Sequence, residues 1–157
     1  MSAYKYEFCI QGYHKVDAQV VGELFEDMSN KGIEITPEAV VEIAKDVNSP
    51  IHNEFEWDDT IAAAKYRNEQ GRLLIGHVRI VREEEPEQPY KERGFVSIPG
   101  GNHVYVPLQT ALGKEEYKNH LLKQAKNDSE VFLAKYRRLE ALAGVVQAMT
   151  EFIEKVG

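Results

Sequence analysis

The sequence predicts an α+β fold. A helical, helix-turn-helix-like core carries a small antiparallel sheet or hairpin, and a long C-terminal helix or helix pair follows. Three observations predict it. Apolar residues recur every three or four positions over 17–30, 36–45, 59–74 and 114–156, as they do on buried helix faces. The period shortens to two over 4–10 and 77–82, as on half-buried strands. Pro99-Gly100-Gly101-Asn102 then separates two short apolar runs, a hairpin signal. These elements divide the chain into a core over 1–110 and a helical oligomerisation segment over 111–157.

The first strand places Tyr4, Tyr6, Phe8 and Ile10 on one side and Cys9 on the other, where a small buried hydrophobe is the default. In the first helix, Val20, Val21, Leu24, Phe25 and Met28 form the stripe, Asp17 is the N-cap and Gly32 the stop. Thr36 caps a second helix with Pro37 at its first position, where a missing N–H costs nothing. Ser49 to Trp57 reads as a short helical stretch with Ile51, Phe55 and Trp57 inward. Asp58 caps a third helix, about 59–74, with Ala62, Tyr66 and Leu73 along one side and Ile61 and Ala64 beside them. Gly76 interrupts it, and Val78 and Ile80 begin a strand. Glu83 to Glu92, with two prolines, reads as an exposed loop. Phe95 to Ile98 and His103 to Val106 are the hairpin strands, and the first strand can join their sheet.

The tail from Lys114 reads as helix, with Asn127-Asp128-Ser129 as a point for a break. Phe132, Tyr136, Leu139, Ala143, Val146, Thr150 and Ile153 step by fours and threes, a heptad-type seam. Val131, Leu142, Val145, Met149 and Phe152 widen it beyond a two-stranded seam. The candidate oligomer interface is Phe132, Tyr136, Leu139, Leu142, Val146, Met149 and Ile153.

Composition excludes several classes. The 157 residues carry 19 Lys and Arg against 26 Asp and Glu, and hydrophobic residues make up 43%. A chain of that kind has enough apolar surface to fold. No run approaches the roughly 18 apolar residues of a membrane span, so no membrane partner is expected. The first residues lack the pattern of a secretory signal. One cysteine fits a reducing, cytoplasmic setting. Residues 1–60 hold 4 Lys against 13 Asp and Glu. So acidic a front repels phosphate at long range.

Four constellations bear on function. Thr36 to Trp57 has the outline of a helix-turn-helix, and the hairpin after the third helix would be its wing. An ordinary three-helix core has the same outline, and the reading stretch has no Arg or Lys. Asn53 is its one good adenine reader. The candidate nucleic-acid contacts are Asn53, Arg67, Arg72, Arg79 and Arg82. Second, the run from His52 to Asp59 has four carboxylates and one imidazole, but matches neither a calcium loop nor a zincin helix. Core anchoring by Phe55 and Trp57 and dipole complementation by Asp58 and Asp59 explain it. No metal or other cofactor is expected. Third, Lys123, Lys126, Arg137 and Arg138 on the later helix would track phosphate, or form an ordinary solvated face. Fourth, the five histidines are scattered in sequence, and no phosphate loop, nucleophile elbow or Cys-based pair appears. No catalytic residue is named and no enzyme is expected.

One combination is distinctive: Ile35-Thr36-Pro37-Glu38-Ala39-Val40-Val41-Glu42, Ser49-Pro50-Ile51-His52, Phe55-Glu56-Trp57-Asp58-Asp59, then Ala62-Ala63 with Tyr66-Arg67 and Gln70. It resembles a group of small phage and prophage proteins, mostly of unassigned function, over about Val16 to Val81. The resemblance implies a phage or mobile-element setting in a bacterial cytoplasm, and some of these proteins look like helix-turn-helix proteins. The leading expectation is a non-enzymatic phage-type accessory protein that binds DNA or a nucleic-acid-processing complex. The alternative is an oligomeric structural or interaction protein. It would bind a phage or host protein through its acidic front and itself through the C-terminal helix.

Overall fold

The computed structural model describes residues 2–59, 61–83, 90–100 and 103–157. They form an α+β protein with two compact units, 1–111 and 112–157.

The first unit opens with β1 (Lys5–Phe8) and α1 (Ala18–Asn30). The Asp17 carboxylate accepts from the Gln19 N–H and caps α1. At the other end, the N–H of Gly32 donates to Ser29 and that of Ile33 to Met28, with Gly32 at φ +74°. That double bond is a Schellman stop, which needs a residue tolerant of positive φ. α2 (Pro37–Ala44) starts where Thr36 Oγ1 accepts from the Ala39 N–H.

The stretch expected to be a second short helix is a single 3₁₀ turn, His52–Glu54. The chain has a reason to stop there. The His52 carbonyl, which a continuing helix would offer to the Glu56 N–H, accepts instead from the Trp57 indole at 2.9 Å and from the Phe55 N–H. The Glu56 N–H donates to the Gln70 side chain. Ile51 and Phe55 are buried as expected, and Trp57 is half-buried.

α3 (Ile61–His77) begins later than expected, so Asp58 does not flank its first turn and is exposed; position 60 lies outside the described residues. Its buried face differs from the predicted stripe. Gly71, Leu74 and Ile75 face the core and Leu73 is half-buried, while Ala64 and Tyr66 are exposed, Tyr66 by 57%; the side chains of Ile61 and Ala62 lie outside the described residues. The close approach decides this. A Cβ on Gly71 would lie 3.2 Å from the Pro37 carbonyl oxygen, so α2 and α3 meet at Gly71. α3 also continues through Gly76 and passes directly into β2 (Val78–Arg82).

β1, β2 and β3 (Tyr90–Arg93) form an antiparallel sheet in that order, with Tyr6 opposite Ile80 and Ile80 opposite Glu92. The polar stretch expected to be loop thus supplies a strand over 90–93. Its backbone pairs with β2, while Lys91 bridges to Glu7 and Glu92 to Arg82. Residues 84–89 lie outside the described residues. β4 (Phe95–Ser97) and β5 (Tyr105–Pro107) pair antiparallel, as the hairpin reading expects. Gly100 has φ +119°, and 101–102 of the turn lie outside the described residues. Tyr105 also bridges to Ile35, tying this hairpin to the α1–α2 connection. Val21, Phe25, Met28, Ile35, Val40, Ile51, Leu74, Ile75, Val78 and Phe95 form the core between helices and sheets. Cys9 is exposed: β1 ends at Phe8, one residue earlier than the pattern suggests.

α4 (Leu108–Gly113) leads into the second unit, which is a pair of packed helices, α5 (Glu115–Tyr136) and α6 (Ala143–Val156). The break does not fall at 127–129. There the Ser129 hydroxyl donates to the Ala125 carbonyl and stays inside the helix. It falls at 137–142, where Leu139 is extended and Glu140–Leu142 form a 3₁₀ turn. The heptad seam is therefore divided between two helices that fold against each other.

Candidate functional site

Three residues far apart in sequence meet in the first unit. Beyond β1 the chain turns at Gly12, φ +75°, and runs through Tyr13, His14 and Lys15 to the α1 cap. The 3₁₀ turn presents Glu54 to this segment. The α3–β2 junction presents His77, whose carbonyl accepts from the Cys9 N–H and so extends the β1–β2 pairing by one bond.

His14 stands at the centre. Its Nδ1 lies 2.9 Å from Glu54 Oε2 and its Nε2 lies 2.8 Å from His77 Nδ1. The other Glu54 oxygen accepts from the backbone N–H groups of Lys15 at 2.6 Å and Val16 at 2.9 Å. The Lys15 ammonium donates to the Asn53 carbonyl. The His14 and Glu54 side chains are only 4% and 8% exposed. Such a buried carboxylate is tolerated because it accepts several hydrogen bonds at once. Phe8 packs on the His14 ring with centroids 4.3 Å apart, and Tyr13 stands edge-on to both imidazoles.

Burial pushes the His77 imidazole below its ordinary value, helped by the charge of His14 and by Arg79. Arg79 itself donates to the Gly76 and Val78 carbonyls. Beside the cluster lies a cleft of about 220 Å³ lined by Tyr13, His14, Lys15, Glu54, Tyr66, Glu69, Gln70 and Leu73. It has no Ser or Cys in its lining, so no side chain of the usual acyl-transfer nucleophile type faces His14. Among the described residues no group of three or more His, Cys, Asp or Glu is placed to hold a metal ion. What the cluster can do is hold, share and exchange protons.

The nucleic-acid candidates are placed differently. Asn53 is exposed on the 3₁₀ turn. Arg67 donates to the Glu56 carbonyl and covers the Trp57 ring at 5.4 Å. Arg72 makes a two-pronged contact with Glu69. Arg82 pairs with Glu92 and lies over Tyr4. Five positions separate Arg67 from Arg72, well over a quarter-turn apart around α3. Arg79 and Arg82, three apart on a strand, point to opposite faces. The five residues do not share one surface.

Of the oligomer candidates, Phe132 and Tyr136 lie ring to ring near the end of α5. Leu139 is in the turn and 53% exposed, Leu142 closes it, and Val146, Met149 and Ile153 are half-buried on α6.

Sequence reasoning missed the His14–Glu54–His77 cluster. The separations of 40 and 23 residues give no spacing signal. The one trace is that His14 precedes a helix cap and His77 stands where the period changes from helix to strand. Comparison with known proteins returns no match to a family model, a curated protein or a solved structure.

Proposed function

We propose that this chain is a non-enzymatic, phage-type interaction protein of the bacterial cytoplasm that self-associates through its C-terminal helical pair. One observation carries the reading. The second unit has only Ser129 and Leu133 buried, and α6 has no buried residue at all. Val131, Leu139 and Val145 are exposed by 57%, 53% and 43%. Two helices alone cannot enclose a core. Two such pairs can, as a four-helix bundle built from coiled-coil-like positions.

Charge favours a second copy as the occupant. Residues 112–157 hold eight Lys and Arg against seven Asp and Glu, whereas residues 1–111 hold 11 against 19. Two fronts repel each other, and two tails do not. DNA binding has less support, because the reading stretch is a 3₁₀ turn and Arg67, Arg72 and Arg82 each have an internal partner. Nothing in the comparisons or in the cleft indicates an enzymatic activity. Among the described residues no helix is long and apolar enough to cross a membrane.

Val131→Asp and Leu139→Asp each place a charge in the expected interface. In sedimentation velocity both are expected to shift the wild-type assembly towards the 17.9 kDa single chain, with helical circular dichroism of the front unit retained. An assembly whose mass ignores both charges overturns the reading.

A further inference from the structure

The Glu54 carboxylate only accepts hydrogen bonds, so Nδ1 of His14 carries a hydrogen. The 2.8 Å link between Nε2 of His14 and Nδ1 of His77 has room for one hydrogen more, whichever ring owns it. Two neutral imidazoles satisfy this link, and so does a pair bearing one positive charge. A doubly charged pair does not, since two N–H groups and two like charges would then face each other.

We propose that the His14–His77 contact is an acid-opened latch, which holds segment 9–16 against the α3–β2 junction and releases it when both imidazoles are protonated. Release acts on a defined set of contacts. Lys15 and Val16 lose their shared Glu54 acceptor, the Cys9–His77 backbone bond is freed, the His14 ring leaves Phe8, and Tyr13 leaves the His77 ring.

The surrounding charges fix where the latch works. Glu54 on the 3₁₀ turn is the carboxylate in contact with the pair. Arg79 on β2 opposes a positive charge on His77. Across the cleft, α3 contributes Tyr66 and Glu69, the latter held by Arg72. On the β1 side stand Glu7, held by Lys5 and Lys91, and Asp17, held by the Gln19 N–H. Lys15 of the segment itself is directed to the Asn53 carbonyl.

The sign follows from His77. A basic group whose value is lowered in the closed state binds fewer protons there than in the open one. Closure is therefore fully present above the ordinary histidine value near 6.5 and is lost as the pH falls below it. Each proton taken up on opening contributes up to about tenfold per pH unit.

Hydrogen exchange of the full chain, corrected for intrinsic rates, tests this. Between about pH 7.5 and 5, protection of the Lys15 and Val16 amides is expected to fall by at least about tenfold, while amides within α1 hold. His77→Gln, which cannot take the second charge, is expected to abolish the fall. Constant protection, an equal fall throughout α1, or an undiminished fall in His77→Gln each overturns the latch. Ring-nitrogen resonances of the wild type provide a check that needs no variant. The Lys15 and Val16 amides are expected to shift together with the protonation of the His77 ring. Protonation of His77 with those amides unmoved also overturns it.

Discussion

Phe25→Ala is expected to lower the stability of the front unit by about 3–5 kcal/mol, the range for a buried aromatic truncated to Ala. Phe25 has no solvent exposure and stands edge-on to Phe95, with ring centroids 5.3 Å apart and planes at 89°. It joins α1 to the β4–β5 hairpin, so truncation leaves a cavity between elements that cannot both close on it. Against a total stability of about 5–15 kcal/mol for a domain, this is a large share. Urea unfolding followed by far-ultraviolet circular dichroism measures it as a fall in midpoint at constant slope. Tyr66→Ala is the contrast. Both aromatics sit on stripes that the sequence assigns to the core, but Tyr66 is mostly exposed, and its removal is expected to change stability by no more than about 0.5 kcal/mol. Equal effects at the two positions would contradict the placement of α3.

Gly22→Ala is expected to cost about 2–3 kcal/mol, although alanine is the better helix former. A Cβ at residue 22 would fall 2.1 to 2.5 Å from atoms of the Tyr6 ring. That ring has little freedom to retreat. It stacks on Phe95 at 6.2 Å, meets Tyr4 edge-on, and its hydroxyl donates to Glu26 Oε1 at 2.6 Å. Burial, and then the Glu26 carboxylate, push the Tyr6 hydroxyl far above its ordinary value, so it remains a donor. Gly144→Ala on α6 has open space at the new methyl and is expected to be neutral or to gain a few tenths of a kcal/mol. Chemical denaturation of both variants separates the steric effect from the helix-propensity effect. A stabilised Gly22→Ala would mean that Tyr6 does not lie across α1.

Local chemistry explains what could be read from the sequence. Asp17, Gly32, Thr36 and Pro37 act within a few residues of themselves, so their signals survive without tertiary context. The pairing of β4 with β5 was legible because Pro99-Gly100-Gly101-Asn102 marks a chain reversal between two neighbouring apolar runs. Long-range contacts decided the rest. α3 turns its Gly71 face inward because α2 approaches there, which no periodicity of α3 alone encodes. The helical stretch after Pro50 stops because a tryptophan five residues on takes its carbonyl. β3 is polar along its length and is a strand only because β2 offers it partners. The His14–Glu54–His77 cluster was illegible for the same reason, since it rests on the tertiary meeting of a loop, a turn and a helix end. The heptad seam is a further case. Periodicity cannot tell one straight helix from two that fold back, and the turn at 137–142 carries no proline. The buried apolar residue of the pair is Leu133, off the seam, while Tyr136, Leu139, Ala143 and Thr150 of the seam are exposed.

That folded-back pair is the basis of the proposed self-association, and its most direct test is the mass of the full-length chain in solution. Size-exclusion chromatography with light scattering over a wide concentration range, read at protein and nucleic-acid wavelengths, measures it. The expected result is an assembly at an integral multiple of 17.9 kDa, at least a dimer, free of nucleic acid at low salt. A single-chain mass at every concentration, or an assembly held together only by nucleic acid that high salt removes, would contradict it.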